Sequence, residues 1–192
     1  MIGRLLRPVR AGLGSTAWHH PAAKGAPETI TVTSDAFGDN AAIPRRYAGD
    51  GVGDNISPPL QWSNIPPDAV ELILIIEDPD VPLPRPIVHG LVTGVDPHTM
   101  GIPEGGLEID SAAATSTAGD PMMRIGFGAF KRRGYAGPRP IPGHGPHRYI
   151  FQMFALDQPS GLGVDATRTS MLSAIDGHVI ARGKLTGTYE RD

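Results

Sequence analysis

Cysteine is absent from this 192-residue sequence, and aromatic residues (6%) and long apolar runs are scarce. Without cysteine the chain can form no disulfide, no thiolate zinc site, no iron–sulfur cluster and no cysteine nucleophile. The longest apolar stretch, residues 70–76, is interrupted by Glu71. It is far shorter than the roughly 20 residues that a membrane-spanning helix needs, so we predict no transmembrane segment.

Positive charge is not in excess, since 17 Lys and Arg residues face 20 Asp and Glu residues and the net charge is −3. A protein that neutralises the phosphates of a nucleic acid needs a basic surplus, so nucleic-acid binding is not expected. Arg4, Arg7 and Arg10 interrupt the stretch that would have to be apolar in a secretion signal. A cytoplasmic location is therefore predicted.

Glycine and proline are abundant, with 25 and 20 residues, while hydrophobic residues still make up 40% of the chain. This composition indicates a globular, turn-rich protein with few long helices. The length is enough for one domain with a substantial core but short of two ordinary domains.

Residues 1–27 differ from the rest of the chain and are called the basic arm. The arm has four basic residues and no acidic one, which leaves 13 basic and 20 acidic residues, a net of −7, on residues 28–192. The arm is interpreted as packing on its own domain or on a second subunit, as in a homodimer. The alternative is a helix that docks on a membrane surface or a partner. Because the β pattern starts after the arm, residues 1–24 are predicted to be dispensable for folding.

Four segments have the pattern of core β-strands, and their order without regular strand–helix alternation predicts a mainly β fold. Residues 29–34 alternate apolar residues with threonine, and residues 70–76 read as a strand buried on both faces. The other two segments are Ile87–Val95 and His147–Leu156, the second with apolar residues on both faces, which is typical of a central strand.

One helix is predicted late in the chain, beginning at an N-cap on Asp165 and ending at Gly183. Its apolar stripe has helical spacing and is assigned to core packing. The stripe consists of Met171, Leu172, Ile175, Val179 and Ile180. A final strand is predicted over residues 184–190, and the small, polar residues 108–124 are predicted to form a mobile surface loop.

Three loops, residues 51–62, 77–90 and 134–149, are rich in Gly, Pro and polar residues. Prolines stiffen a loop and glycines let its backbone approach a ligand, so such loops can present amides to an anion. His89 and His147 each lie where such a loop meets a strand, and Asp78 and Asp80 end the buried strand. If these junctions meet, they form a pocket of histidines, carboxylates and a tyrosine.

The same residues also allow plainer interpretations. A histidine at a strand end commonly bonds a backbone carbonyl, and Asp-Pro pairs commonly begin turns. His144 and His147 have a spacing that occurs in metal sites, but a Pro/Gly loop lacks the helical geometry that would point both rings at one ion. No metal and no other cofactor is predicted.

Three motifs resemble, in their order along the chain, those of the phosphatidylethanolamine-binding protein family. They are DNISPPLQW (54–62), DPDVP (78–82) followed by His89, and YAGPRPIPGHGPHRYIFQMFALD (135–157). The resemblance is to the family's bacterial YbhB/YbcL, or Raf-kinase-inhibitor-like, branch and runs from about residue 28 to 190. It implies a β-sandwich with a large antiparallel sheet, a smaller sheet and a C-terminal helix beside an anion pocket.

The resemblance implies a protein that binds a phosphate-type small anion or a phospholipid head group, with inhibition of a kinase or serine protease through protein contacts as the alternative. The ligand-binding residues it implies are Asp78, Pro82, His89, Gly137, Pro138, Arg139, Pro140, His147 and Tyr149. The residues it assigns to support of the pocket are Asp80, Asn55, Ser57 and Trp62. A valine and a glycine flank His89 where the family has an aromatic residue, so a wider mouth, or one filled by Pro84, Pro86 or Phe130, is expected.

Catalysis is the less favoured hypothesis. A hydrolase would need a nucleophile, and neither Ser57 nor Ser63 lies in a glycine-flanked nucleophile elbow. The chain is therefore predicted not to be an enzyme. The predicted hydrogen-bond donors to the anion are His89, His147, Tyr149 and the amides of the third loop. Asp78 is predicted to accept from a histidine and so to orient its ring.

Overall fold

The computed structural model describes residues 2–108 and 123–192, so most of the loop predicted for residues 108–124 lies outside the described residues. The strands are β1 Thr31–Thr33, β2 Ala41–Ala42, β3 Leu60–Ser63, β4 Glu71–Asp78, β5 Ile87–Val95, β6 Gly101–Ile102, β7 Arg124–Ile125, β8 His147–Leu156 and β9 Val179–Tyr189. The α-helices are α1 Ile2–Leu6, α2 Pro21–Lys24 and α3 Arg168–Ala174. Within the described part of the chain, no helix is long and apolar enough to cross a membrane.

The strands form two sheets. The larger has the order β2-β9-β8-β4-β5-β7, in which only the edge pair β2–β9 is parallel, and the smaller has the order β1-β3-β6 and is antiparallel. β8 lies between β9 and β4, which confirms the prediction of a central strand. The predicted β-sandwich with a large and a small sheet is thus the observed fold.

Two apolar cores lie on opposite faces of the large sheet. Along β4, Leu72, Leu74 and Ile76 face the core shared with the small sheet, while Ile73 and Ile75 face the second core. This explains why the segment lacks polar alternation: every residue of β4 is buried. A strand that is apolar on both faces needs a covering layer on each.

The predicted C-terminal helix is present but its bounds were wrong. Thr167, not Asp165, is the N-cap: its hydroxyl accepts from the Ser170 N–H, and the Ser170 side chain accepts from the Thr167 N–H. The helix ends at Ala174 because Gly177 has a positive φ of 80° and turns the chain back. The end of the apolar stripe, Val179 and Ile180, belongs to β9 instead.

The basic arm packs on its own domain. Trp18 is 4% exposed, and its ring centroid lies 6.4 Å from that of Phe154. The Trp18 backbone N–H donates to the Gln152 side chain (2.7 Å), and the Ala17 N–H donates to the buried carboxylate of Glu77 (2.7 Å). The arm and α3 together cover the second core, so the structure opposes the expectation that residues 1–24 are dispensable.

Candidate functional site

A cavity of about 420 Å³ opens at the ends of the central strands, where the loop after β4 meets the loop before β8. The sequence-predicted residues at its wall are Asp78, Pro82, His89, Gly137, Arg139, Pro140, His147, Tyr149 and Asn55. The remaining lining residues are Gly49, Asp50, Val81, Leu83, Ile87, Ala129, Phe130, Arg132, Ala136 and Ile141.

The strand register brings the polar residues together. β4 ends at Asp78, β8 begins at His147 two residues before Tyr149, and β5 passes on the other side of β4 with His89 near its start. Because β4 pairs with both β5 and β8, three segments far apart in sequence deliver their side chains to one cavity. The predicted meeting of the loop–strand junctions therefore occurs.

Asp78 and Asp80 have different tasks. Asp78 Oδ1 accepts from the Asp80 backbone N–H (2.8 Å), and its Oδ2 faces His147 Nδ1 at 2.7 Å. Asp80 is paired with Arg148 (2.6 Å) and Arg10 (2.9 Å) and does not line the cavity. Burial by itself would raise the pKa of Asp80, but hydrogen bonds from Arg148 and Arg10 hold it below the ordinary value. Asp80 thus ties the loop after β4 to Arg148 and to the basic arm.

His147 is fully committed within the protein. Its Nδ1 bonds Asp78, and its Nε2 lies 2.7 Å from Nδ1 of His144, whose own Nε2 lies 2.8 Å from the backbone oxygen of Leu6. His147 therefore lines the cavity but has no ring nitrogen left for an anion in this arrangement, contrary to the expected direct donation. The two rings contact each other directly, with centroids 4.8 Å apart.

His89 and Tyr149 present the uncommitted polar atoms. His89 Nδ1 donates to the Ala136 carbonyl oxygen (2.5 Å), while its buried Nε2 and the buried Tyr149 hydroxyl have no hydrogen-bond partner among the described residues. The rings meet edge to face with centroids 4.9 Å apart. Burial lowers the pKa of His89, with Asp78 opposing the shift, and burial followed by the Asp78 charge raises the pKa of Tyr149. The resting site therefore holds a neutral imidazole and a protonated phenol.

The loop at residues 137–140 offers fewer amides than expected. Pro138 and Pro140 have no N–H, and the Gly137 N–H donates to the Asn55 side chain (2.8 Å). The side chain of Arg139 is exposed and lies at the mouth of the cavity. Asn55, which has a left-handed backbone conformation (φ 55°), holds the loop through its hydrogen bond with the Gly137 N–H.

Besides Asp80, three predicted residues do not reach the cavity wall. Pro138 uses its carbonyl to accept from the Gly49 N–H (3.0 Å). Ser57 is buried and its hydroxyl accepts from the Leu107 N–H (3.1 Å), and Trp62 lies in the small sheet with its indole N–H bonded to Thr99 (2.7 Å). The side chains of Ser57 and Trp62 therefore form their hydrogen bonds away from the cavity wall, and their role in supporting the pocket stays a prediction.

The cavity also contains charged residues that sequence reasoning missed. Asp50 and Arg132 lie at its mouth and form an exposed ion pair at 3.3 Å. Asp50 immediately precedes the first Gly-rich loop, which is the only sequence signal that could have pointed to it. Arg132 lies in no motif, and only the tertiary structure brings it to the site.

An apolar groove of about 790 Å³ adjoins the cavity and shares Leu83, Ile87, Ala129 and Phe130 with it. Phe130, one of the residues expected at the mouth, does line the cavity, whereas Pro84 and Pro86 line only the groove. Phe130 is 83% exposed and has a φ of 58°. Such a backbone conformation is rare for a bulky residue, and it leaves the aromatic ring exposed beside the cavity.

The sequence matches the phosphatidylethanolamine-binding protein family over residues 33–190. The chain belongs to this family. A UPF0098 protein of Chlamydia trachomatis is 38% identical over 170 residues, which cover 85% of this chain and all of the relative. A UPF0098 protein of Pyrococcus horikoshii is 38% identical over 162 residues, covering 82% of this chain and 75% of the relative.

Solved structures have the same fold. A putative phosphatidylethanolamine-binding protein homologue from Chlamydia trachomatis aligns with a TM-score of 0.72 at 33% identity, over 86% of this chain and 99% of that one. YbcL of E. coli aligns with a TM-score of 0.76 at 23% identity, over 85% and 99%. A carboxypeptidase Y inhibitor, solved with its cognate proteinase, aligns with a TM-score of 0.50 at 16% identity, over 88% of this chain and 87% of that one. The family model itself matches from residue 33 onward, after the basic arm.

Proposed function

We propose that this family member binds a small oxyanion, such as the phosphate of a phospholipid head group, in the cavity of about 420 Å³. The observation that carries the proposal is the pair of buried, unpartnered polar atoms at its wall, His89 Nε2 and the Tyr149 hydroxyl. A buried polar atom without a partner is costly, so a pair of them at one cavity favours a ligand that satisfies both.

The protonation state of the site favours a ligand that itself carries a proton. A ligand without one can bind if His89 takes up a proton from solution. Neutral His89 donates through Nδ1, so its Nε2 offers a lone pair, while Tyr149 offers an O–H. A monoprotonated phosphate ester matches both, because its P–OH can donate to His89 and an oxygen can accept from Tyr149. An anion without a proton requires His89 to be protonated first. Arg139 at the mouth adds attraction for either form.

The adjoining apolar groove favours a lipid over free phosphate as the ligand. It is continuous with the cavity, and a phosphate ester seated against Tyr149 can place its hydrocarbon part between Leu83 and Phe130. Burial of a chain there adds about 0.8 kcal/mol for each methylene group that leaves water. The affinity for a short-chain phosphatidylethanolamine should therefore exceed the affinity for phosphorylethanolamine. Phosphorylethanolamine has no hydrocarbon chain, so its binding tests the cavity without the groove.

Isothermal titration calorimetry tests the proposal with phosphorylethanolamine. Tyr149→Phe removes one donor and His89→Ala removes the facing ring; each should weaken binding by roughly tenfold, the equivalent of about 1.4 kcal/mol. Tyr47→Phe, whose hydroxyl bonds Glu104 away from the cavity, and His98→Ala, on the exposed surface, are the matched controls. If all four variants bind like the wild type, the ligand does not use this cavity.

The pH dependence gives a second test. Because burial lowers the pKa of His89, an anion of fixed charge such as sulfate must bind with proton uptake, and its affinity should rise as the pH falls from 8 to 5. A flat profile for sulfate would show that Tyr149, Arg139 and neutral groups hold the anion without a charged His89.

We propose binding rather than catalysis as the activity. Among the described residues that line the cavity there is no Ser, Thr, Cys or Lys, and the raised pKa of Tyr149 keeps the phenol protonated. A cytoplasmic location and a homodimer stay predictions.

Inhibition of a kinase or serine protease stays a prediction as well, and the outward Phe130 is the feature that favours it. Phe130→Ala should weaken capture of such a partner and leave phosphorylethanolamine binding nearly unchanged. Equal loss of both would place Phe130 in the ligand site itself.

A further inference from the structure

A buried row of hydrogen bonds connects the cavity to the basic arm. It runs from the Asp78 carboxylate through His147 and His144 to the backbone oxygen of Leu6 in α1, with contacts of 2.7, 2.7 and 2.8 Å. Asp78, His147 and His144 are at most 1% exposed. The number of hydrogens that this row requires follows from which of its atoms can donate and which can accept.

Each of the three contacts needs one hydrogen, and when Asp78 is ionised both ends of the row can only accept. A carboxylate and a peptide oxygen bring none, so the ring nitrogens of His144 and His147 must supply all three. Two neutral imidazoles carry two N–H groups. We propose that the His144–His147 pair holds a third proton, as one shared imidazolium, and that the docked basic arm keeps it there and is thereby part of the anion site.

The charge balance of the row supports this assignment. The Asp80 backbone N–H donates to Asp78 Oδ1, which favours the ionised carboxylate, and one imidazolium then makes the buried row neutral as a whole. A neutral row avoids the cost of an uncompensated buried charge. The other charged groups nearby are already paired or are partly exposed: Asp80 with Arg10 and Arg148, and Arg7, Arg10 and Glu190 around Gly145.

The third proton bears on anion binding, and this step rests on the proposed function. Asp78 lines the cavity, and its negative charge would repel an anion unless a positive charge lies beside it. The imidazolium supplies that charge. His144, which does not line the cavity, is therefore a positioning residue that acts through His147.

The basic arm is fixed against the loop that carries His144. Arg7 donates to the Gly143 carbonyl (3.0 Å) and Arg10 to the Pro146 carbonyl (3.2 Å). Gly3 lies so close to this loop that a Cβ on it would be 2.1 Å from the Pro142 carbonyl oxygen, whereas a Cβ on Gly14 would meet nothing within 4 Å. A methyl group on Gly3 should therefore displace α1 and Leu6, while the same change at Gly14 should not.

The first experiment counts protons by ¹⁵N NMR of histidine-labelled full-length protein at pH 7 without any anion. We expect three N–H groups on the four ring nitrogens of His144 and His147. His144→Gln can still accept from His147 Nε2 and should keep His147 doubly protonated, whereas His144→Phe should leave it with one proton. Two N–H groups in the wild type, or no difference between these variants, would overturn the proposal.

The second experiment compares Gly3→Ala with Gly14→Ala. Gly3→Ala should remove the third N–H signal and weaken binding of inorganic phosphate by on the order of tenfold, a usual size for coupling between linked sites. Gly14→Ala should match the wild type in both, and circular dichroism verifies that both variants are folded. A third N–H that persists in folded Gly3→Ala would refute the role of the arm.

The two proposals fail in different ways. If the protein has three N–H groups but binds no phosphate, phosphorylethanolamine or lipid, the third proton on the histidine pair is supported and the anion site is refuted. Phosphate binding that needs His89 and Tyr149 but is indifferent to His144→Phe would retain the anion site and refute the role of the shared proton.

Discussion

Truncation of one side chain in the basic arm, Trp18→Ala, tests whether the arm belongs to the fold. Trp18 is 4% exposed and packs in the second core against Phe154. Arg182 lies 4.1 Å and Lys184 4.5 Å from the centroid of its indole ring. The variant removes the ring and its contacts while the backbone bonds to Gln152 and Arg182 can remain.

The magnitude follows from the buried area. An indole side chain buries roughly 150–250 Å², which at about 25 cal/mol per Å² is about 4–6 kcal/mol before relaxation. Measured truncations of buried aromatic residues cost about 3–5 kcal/mol, and the two cations over the ring add a fraction of this. We expect a loss of about 4 kcal/mol in the free energy of unfolding, and a fall in Tm of about 8–16 °C for a chain of this size.

Urea unfolding followed by far-ultraviolet circular dichroism measures the effect without relying on the fluorescence of the replaced tryptophan. Leu5→Ala is the matched control, because Leu5 lies in the same arm but is 78% exposed, and it should change the stability by less than about 0.5 kcal/mol. Deletion of residues 1–24 should be at least as severe as Trp18→Ala. A Trp18→Ala protein within about 0.5 kcal/mol of the wild type would refute the reasoning and restore the arm as a dispensable appendage.

Two further predictions concern buried charge. Glu77→Ala should lower the free energy of unfolding by about 3–5 kcal/mol, because the Arg168 guanidinium and the Ala17 N–H lose their buried acceptor. Glu104→Ala is the control in the same urea assay. It breaks the half-exposed ion pair with Arg46 and should lower the free energy of unfolding by less than about 1 kcal/mol. The ordinary pKa of histidine is 6.5, and burial lowers the pKa of His89 below it. As the pH falls below 6.5, the free energy of unfolding of the wild type should therefore decrease relative to that of His89→Gln, by at most about 1.4 kcal/mol per pH unit. The sign follows because the unfolded chain takes up a proton that the buried, neutral His89 excludes, and parallel stability curves between pH 7 and 5 would contradict it.

The local pattern of apolar residues was enough to predict the main strands, because a strand in a sandwich must bury at least one face. Ile87–Val95 and His147–Leu156 have the predicted bounds, and residues 70–76 fall within two residues of β4. The helix was predicted too long because apolar spacing continues from Met171 to Ile180 although the backbone reverses between α3 and β9. Periodicity reports which residues are buried, and here two elements bury residues into neighbouring cores.

The sequence by itself determined which residue types meet at the cavity, since the loop motifs identify His89, Asp78, His147 and Tyr149 by their place at strand ends. Only the tertiary structure decided what each one faces. His147 was expected to donate to an anion, but the neighbouring His144 occupies its second nitrogen, and a carbonyl of the basic arm occupies the far side of His144. Neither the contact between His147 and His144 nor the one between His144 and Leu6, 138 residues away, can be deduced from local patterning. A pattern fixes the face on which a side chain lies and not the atom that it meets there.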